Sequence, residues 1–160
     1  MQSLASVLDY QNRYIIREFL RKHPHYNLSQ EQAQTVFDDM KRYLWLSDLY
    51  DKHRKDDPET PDITISVSMI IIDEMWHEFI LVTEHYTDFC QKYFGRYLHH
   101  PPYTKKYDRN AEKIGAEAAK EIFLDELLGA VYDNLGEEVT LRWFDTYRQY
   151  LPAEEMSHHF

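Results

Sequence analysis

Apolar positions recur at helical spacing along almost the whole chain, and the strongest recurrence lies in its middle. At ~100° per residue, Ile72, Trp76, Phe79, Thr83, Tyr86, Cys90 and Phe94 fall along one side of a helix. Ile71, Met75, Val82 and Phe89 widen that side to about half the circumference, which predicts a long helix buried by several neighbours. Asp73, His77, Glu84, Asp88 and Gln91 lie on the edge of the opposite side. Gly95 stands where a left-handed cap would end the helix.

The flanks read the same way. A first helix runs roughly from Leu4 to Lys22 on Leu8, Ile15, Ile16, Phe19 and Leu20. His23-Pro24-His25 closes it, because a residue before proline is pushed out of the helical region. Ser29 with Gln32 forms a capping box for a second helix that continues through Ala33, Val36, Phe37, Met40, Leu44 and Leu49. Asp51 to Asp62 is charged and carries Pro58 and Pro61, which marks an exposed loop. Ile63 to Met69 alternates apolar and polar like a strand. No other segment offers it a partner, so an extended lead-in is expected, with Ser66 or Ser68 capping the central helix.

After the His99–Tyr103 loop, a helix from about Asn110 to Leu135 turns Leu124, Leu127, Leu128, Val131 and Leu135 inward and stops at Gly136. A last helix, about Glu137 to Tyr150, buries Phe144, Tyr147 and Leu151. The predicted fold is all-α: one domain over residues 1–160, a bundle of about five helices around a long buried central one.

Composition narrows the function. With 43% apolar and 15% aromatic residues the chain has the material for a packed core. A formal charge of −10 repels phosphate backbones, and the one basic cluster, Lys52-His53-Arg54-Lys55, runs straight into Asp56-Asp57, so nucleic acid is not an expected partner. No apolar run is long enough to span a bilayer and the start lacks the pattern of a signal peptide, so no membrane role is expected. A single cysteine points to a reducing, cytoplasmic setting.

Several chemistries drop out. The four glycines are scattered, so no glycine-rich loop exists to cradle phosphate. There is no Ser-x-x-Lys pair and no Gly-x-Ser-x-Gly elbow. His77-Glu78-Phe79-Ile80-Leu81 begins like a zinc-protease helix, but Leu81 stands where the second histidine is needed. It is not a zincin.

What remains is Asp73 with His77, and His99 with His100. Asp73 and His77 lie one turn apart and point the same way, and the Gly95 turn lets His99 or His100 return toward them. Two histidines and a carboxylate would leave coordination positions open, the pattern of catalytic zinc and non-haem iron. The plainer reading makes Asp73–His77 a surface ion pair and His99-His100-Pro101-Pro102 a device that aims the chain. Trp76 beside His77 either walls a pocket or packs the core. Cys90 lies on the apolar arc as a small buried hydrophobe rather than a nucleophile. Thirteen tyrosines suit half-buried positions and contact surfaces.

Ile72-Asp73-Glu74-Met75-Trp76-His77-Glu78-Phe79-Ile80-Leu81, followed by Tyr86, Phe89-Cys90, Phe94-Gly95 and Leu98-His99-His100-Pro101, resembles the signature of the glycine-rich domain-containing-protein-like family. The likeness is specific over residues 68–102 and loose in the flanks. It implies that Asp73, Trp76, His77, Tyr86, Cys90, Gly95 and His100 occupy motif positions. Plant-type members usually carry a second histidine two residues after the first, where this chain has Phe79, and the glycine-rich tail is missing here. The resemblance implies where a site lies and leaves its chemistry open.

Two functions follow as expectations. The first is a small acidic interaction module that binds another protein through an exposed face. The alternative is a protein, enzymatic or not, that holds a divalent transition metal (zinc or iron) or a small ligand at Asp73, Trp76, His77, His99 and His100, with Asp73, His77, His99 and His100 as the metal ligands. The interaction reading comes first because it needs no folded-back loop.

Overall fold

Three helix starts are set by side chains that accept from otherwise unpaired N–H groups. Ser3 Oγ accepts from Ser6 N–H at 3.2 Å and Asn12 Oδ1 from Ile15 N–H at 3.3 Å. The Ser29 capping box forms as expected: Ser29 Oγ accepts from Gln32 N–H at 3.1 Å, and Gln32 Oε1 accepts from Ser29 N–H at 2.8 Å.

The structure is a computed structural model that describes residues 1–101 and 105–152, with the backbone alone for 105–108. Among the described residues there are eight α-helices and no strand. They are α1 (Leu4–Leu8), α2 (Arg13–Lys22), α3 (Gln30–Arg54), α4 (Ile70–Leu81), α5 (Thr83–Phe94), α6 (Lys105–Ile114), α7 (Ala116–Leu135) and α8 (Glu137–Phe144). Short 3₁₀ turns lie at Pro24–Tyr26, Val67–Met69 and Thr146–Tyr150. The all-α expectation holds. No helix among the described residues is long and apolar enough to cross a membrane.

About five expected helices become eight because three of them break. The first divides between Leu8 and Arg13, where the Lys41 ammonium takes the Leu8 and Tyr10 carbonyls at 2.8 and 2.6 Å and Asn12 starts α2 afresh. The long central helix divides at Val82, whose ψ of 69° leaves the helical region. There the β-branched pair Val82-Thr83 disfavours continuation, and the Val82 N–H turns back to the Phe79 carbonyl at 3.1 Å. Thr83, which opens α5, is exposed, not inward as the single-helix reading had it. The fourth breaks at Gly115, with φ of +91°, a conformation that suits glycine. Expected as one helix to Tyr150, the last segment ends as α-helix at Phe144 and tightens into a 3₁₀ turn.

The chain groups into two units: residues 1–45 with 70–98, and residues 46–69 with the chain from 99 onward. Residues of α3 enter both. In the first unit, Phe79 is the hub of an aromatic core. Its ring centroid lies 5.1 Å from Tyr86, 5.2 Å from Phe89, 5.8 Å from Tyr10 and 5.9 Å from Phe37. Such pairs add directional attraction to the apolar area they bury.

The second unit buries Leu46, Ile63, Met69, Leu127, Val131, Val139, Trp143, Tyr147 and Leu151. Here α3 runs on to Arg54, so the charged loop begins after that residue rather than at Asp51. Arg54 holds the loop in place, reaching Asp51 at 2.6 Å, the Pro61 carbonyl at 2.7 Å and Asp62 at 3.0 Å. Ile63 to Ser66 is neither helix nor strand, and the buried Ser66 and Ser68 hydroxyls bond each other at 2.9 Å.

Candidate functional site

Helix α4 carries most of the candidate chemistry, and its two sides have different fates. On the inner side Trp76 is 3% exposed. Its Nε1–H donates to the Tyr86 hydroxyl at 2.9 Å, and that hydroxyl donates to the Leu98 carbonyl at 2.7 Å. The Tyr43 ring lies 5.4 Å away. Trp76 is therefore a core residue with its one polar atom satisfied. Burial first, then the neighbouring Cys90, pushes the Tyr86 phenol well above its usual range, so it stays a neutral donor. Cys90 is buried, as its place on the apolar arc predicts.

On the outer side, the structure brings Asp73 and His77 together. His77 Nδ1 lies 2.7 Å from the Asp73 carbonyl oxygen and 3.3 Å from Asp73 Oδ2, and the His77 side chain is 56% exposed. A carbonyl can only accept, so Nδ1 carries a proton, and in the neutral imidazole the lone pair sits on Nε2. That arrangement, a histidine oriented through Nδ1 by backbone or carboxylate oxygen, is the one metal-binding histidines use. It gives Asp73 an orienting role toward His77. His99, exposed, and His100, half-buried, belong to the second unit.

Three polar features of the first unit were not legible as contacts from spacing. Lys41 is fully buried and spends its ammonium on the Leu8 carbonyl, the Tyr10 carbonyl and Asp38, the last at 3.0 Å. Burial pulls its pKa below the usual lysine range, yet with three acceptors in place its role is to fasten α1 to α3. Glu78, also buried, pairs with Lys22 at 2.5 Å and so ties α4 to α2. One turn earlier Glu74 meets His23, with His25 nearby. His-x-His beside a helix end was the available signal; the partner carboxylate lay about fifty residues away, beyond any spacing rule.

In the second unit the notable feature is an apolar stripe facing outward. Ala119, Leu127, Ala130 and Val131 form the buried side of α7. Leu128 and Tyr132, one turn apart, are 46% and 54% exposed, and Leu124 and Leu135 are half-buried beside them. The expectation that Leu128 packs inward with Leu127 is corrected: successive helical residues diverge by about 100°. On α8, Leu141 is also exposed, at 56%. Exposed Glu121, Asp125 and Asp133 share the outer surface of α7.

A family model described as UCP032817-like matches residues 3–119, well over half of the chain, so the chain belongs to that family. No curated protein and no solved structure matches.

Proposed function

We propose that this member of the UCP032817-like family is a protein-interaction module that docks a protein partner on the outward stripe of α7. The observation behind it is a twenty-residue helix with apolar side chains on two faces, of which one is buried and the other carries Leu128 and Tyr132 in water. A helix apolar on both faces gains free energy by covering the second one. Leucine and tyrosine in the middle of such a stripe are suitable anchors, since both bring large contact area. The flanking carboxylates favour a partner whose own apolar patch is rimmed by lysine or arginine. The resemblance over residues 68–102 adds nothing to the choice of partner.

The test places a photo-crosslinking residue at position 128 and, as control, at the exposed Glu112. A discrete protein adduct at 128, absent at 112 and lost with Tyr132→Glu, supports the reading. Adducts of equal yield at both positions overturn it.

A second reading keeps a metal or small ligand at the outer edge of α4. His77 held through Nδ1 with its lone pair on Nε2 favours it. Zinc or iron is the ion this reading names. His77→Ala should abolish binding, and His99→Ala and His100→Ala, made singly, test the rest of the expected ligand set.

A further inference from the structure

We propose that His23, His25 and Glu74 form a divalent transition-metal site, with zinc foremost, separate from Asp73 and His77. Each of the three offers a ligand atom, and these atoms all lie within 4.8 Å of one another. The shortest separation is His23 Nδ1 to Glu74 Oε2, 3.0 Å. Ligands about 2.0–2.2 Å from a zinc ion stand about 3.0–3.6 Å apart in octahedral or tetrahedral arrangements. One pair is already at that spacing, and the third ligand atom lies within 4.8 Å of both.

The Glu74 carboxylate supplies an independent reason. Its Oε2 is cut off from solvent and accepts no hydrogen bond, although His23 Nδ1 sits beside it. The imidazole nitrogen approaches that oxygen without the alignment of a hydrogen bond. A buried carboxylate oxygen left so is costly, and a cation between the two atoms removes the cost. The contrast one turn along α4 sharpens the point. Glu78 meets Lys22 in a closed ion pair at 2.5 Å, whereas the adjacent His23 and Glu74 leave theirs open.

The scaffold is fixed in advance. His23 ends α2 with its ring 4.7 Å from Phe19. Pro24 sets the backbone of the following 3₁₀ turn, and Asn27 closes it at φ +52° with its N–H on the Pro24 carbonyl at 3.0 Å. The His25 ring lies 4.3 Å from Tyr26 and 5.6 Å from His23. The Tyr26 ring walls the site, 5.8 Å from His23 and 4.3 Å from His25, and its hydroxyl hydrogen-bonds the Glu74 carboxylate and helps to hold it in place. His25 is exposed, which leaves a route for the ion and open coordination positions on that side. Two imidazoles and one carboxylate are the donor set of hydrolytic zinc centres.

The proposal stands apart from the α7 stripe and from the Asp73–His77 reading, and the experiment separates them. The chain is purified without an affinity tag in a His158→Ala, His159→Ala background, which removes the terminal imidazoles. Cobalt(II) is titrated as a spectroscopic probe and then displaced by zinc. One equivalent with visible absorption of nitrogen–oxygen ligation is expected. His25→Ala, at an exposed position, and Glu74→Gln, which keeps the shape, should each weaken binding by well over about tenfold. His77→Ala should leave it unchanged. Failure of the parent chain to bind cobalt, or parent-like binding by His25→Ala and Glu74→Gln, overturns the proposal. Loss of binding with His77→Ala alone overturns it in favour of the outer edge of α4.

Discussion

Trp76 and Tyr86 are joined across the break at Val82: the indole N–H donates to the phenol oxygen at 2.9 Å, and the phenol O–H in turn donates to the Leu98 carbonyl at 2.7 Å. The bond fixes α4 against α5 where the backbone between them is not helical. It also explains how a tryptophan and a tyrosine can both be buried without stranding a polar atom.

Trp76→Ala should cost about 3–5 kcal/mol, through lost burial and the cavity left behind. Tyr86→Phe keeps the volume but strands the indole N–H and the Leu98 carbonyl, and should cost about 1–3 kcal/mol. Urea denaturation separates the two. Equal, small losses would show that the chain tolerates an unfilled core at this point.

Tyr86 also predicts an alkaline limit. Its folded pKa is raised, chiefly by burial, above an unfolded value near 10. Above that pH the unfolded chain loses the proton while the native one keeps it, so the unfolded state binds fewer protons and stability falls. The stabilisation is whole below about pH 10 and is lost as pH rises beyond it, by about 1.4 kcal/mol per pH unit for this one group. Tyr86→Phe should flatten the slope above pH 10; an unchanged slope would assign the alkaline loss to other groups.

Lys41→Met should cost at least about 3 kcal/mol despite matching the length of the side chain, because the Leu8 and Tyr10 carbonyls lose their donor and Asp38 its partner. Thermal melting checks this. A neutral outcome would mean that water replaces the ammonium.

The helices themselves were legible because amphipathic spacing and the Ser29–Gln32 box are local signals. Their breaks were not. A one-residue interruption at Val82 barely shifts the phase of the apolar arc, so Phe79, Tyr86 and Phe89 remain in line whether the helix is whole or divided. The helix expected from about Asn110 to Leu135 ran through Gly115 because apolar spacing does not reveal its φ of +91°. At the candidate site, the Asp73–His77 contact was visible since four-residue spacing dictates it. Glu74 with His23 was invisible because the packing of α2 on α4 creates it.

Leu127 and Leu128 give the sharpest test of how α7 is oriented. They are chemically identical neighbours, one fully buried and the other 46% exposed. Leu127→Ala removes atoms packed among the residues of its own unit and should cost about 2–5 kcal/mol. Leu128→Ser removes a side chain that stands in water, and its effect should stay within about 0.5 kcal/mol. Leu128→Ser should also reduce any association through the outer stripe, which a simple loss of stability would not do. Denaturation and sedimentation on both variants decide the matter. If Leu128→Ser proves as costly as Leu127→Ala, the stripe is covered in the folded chain and is not a free docking surface.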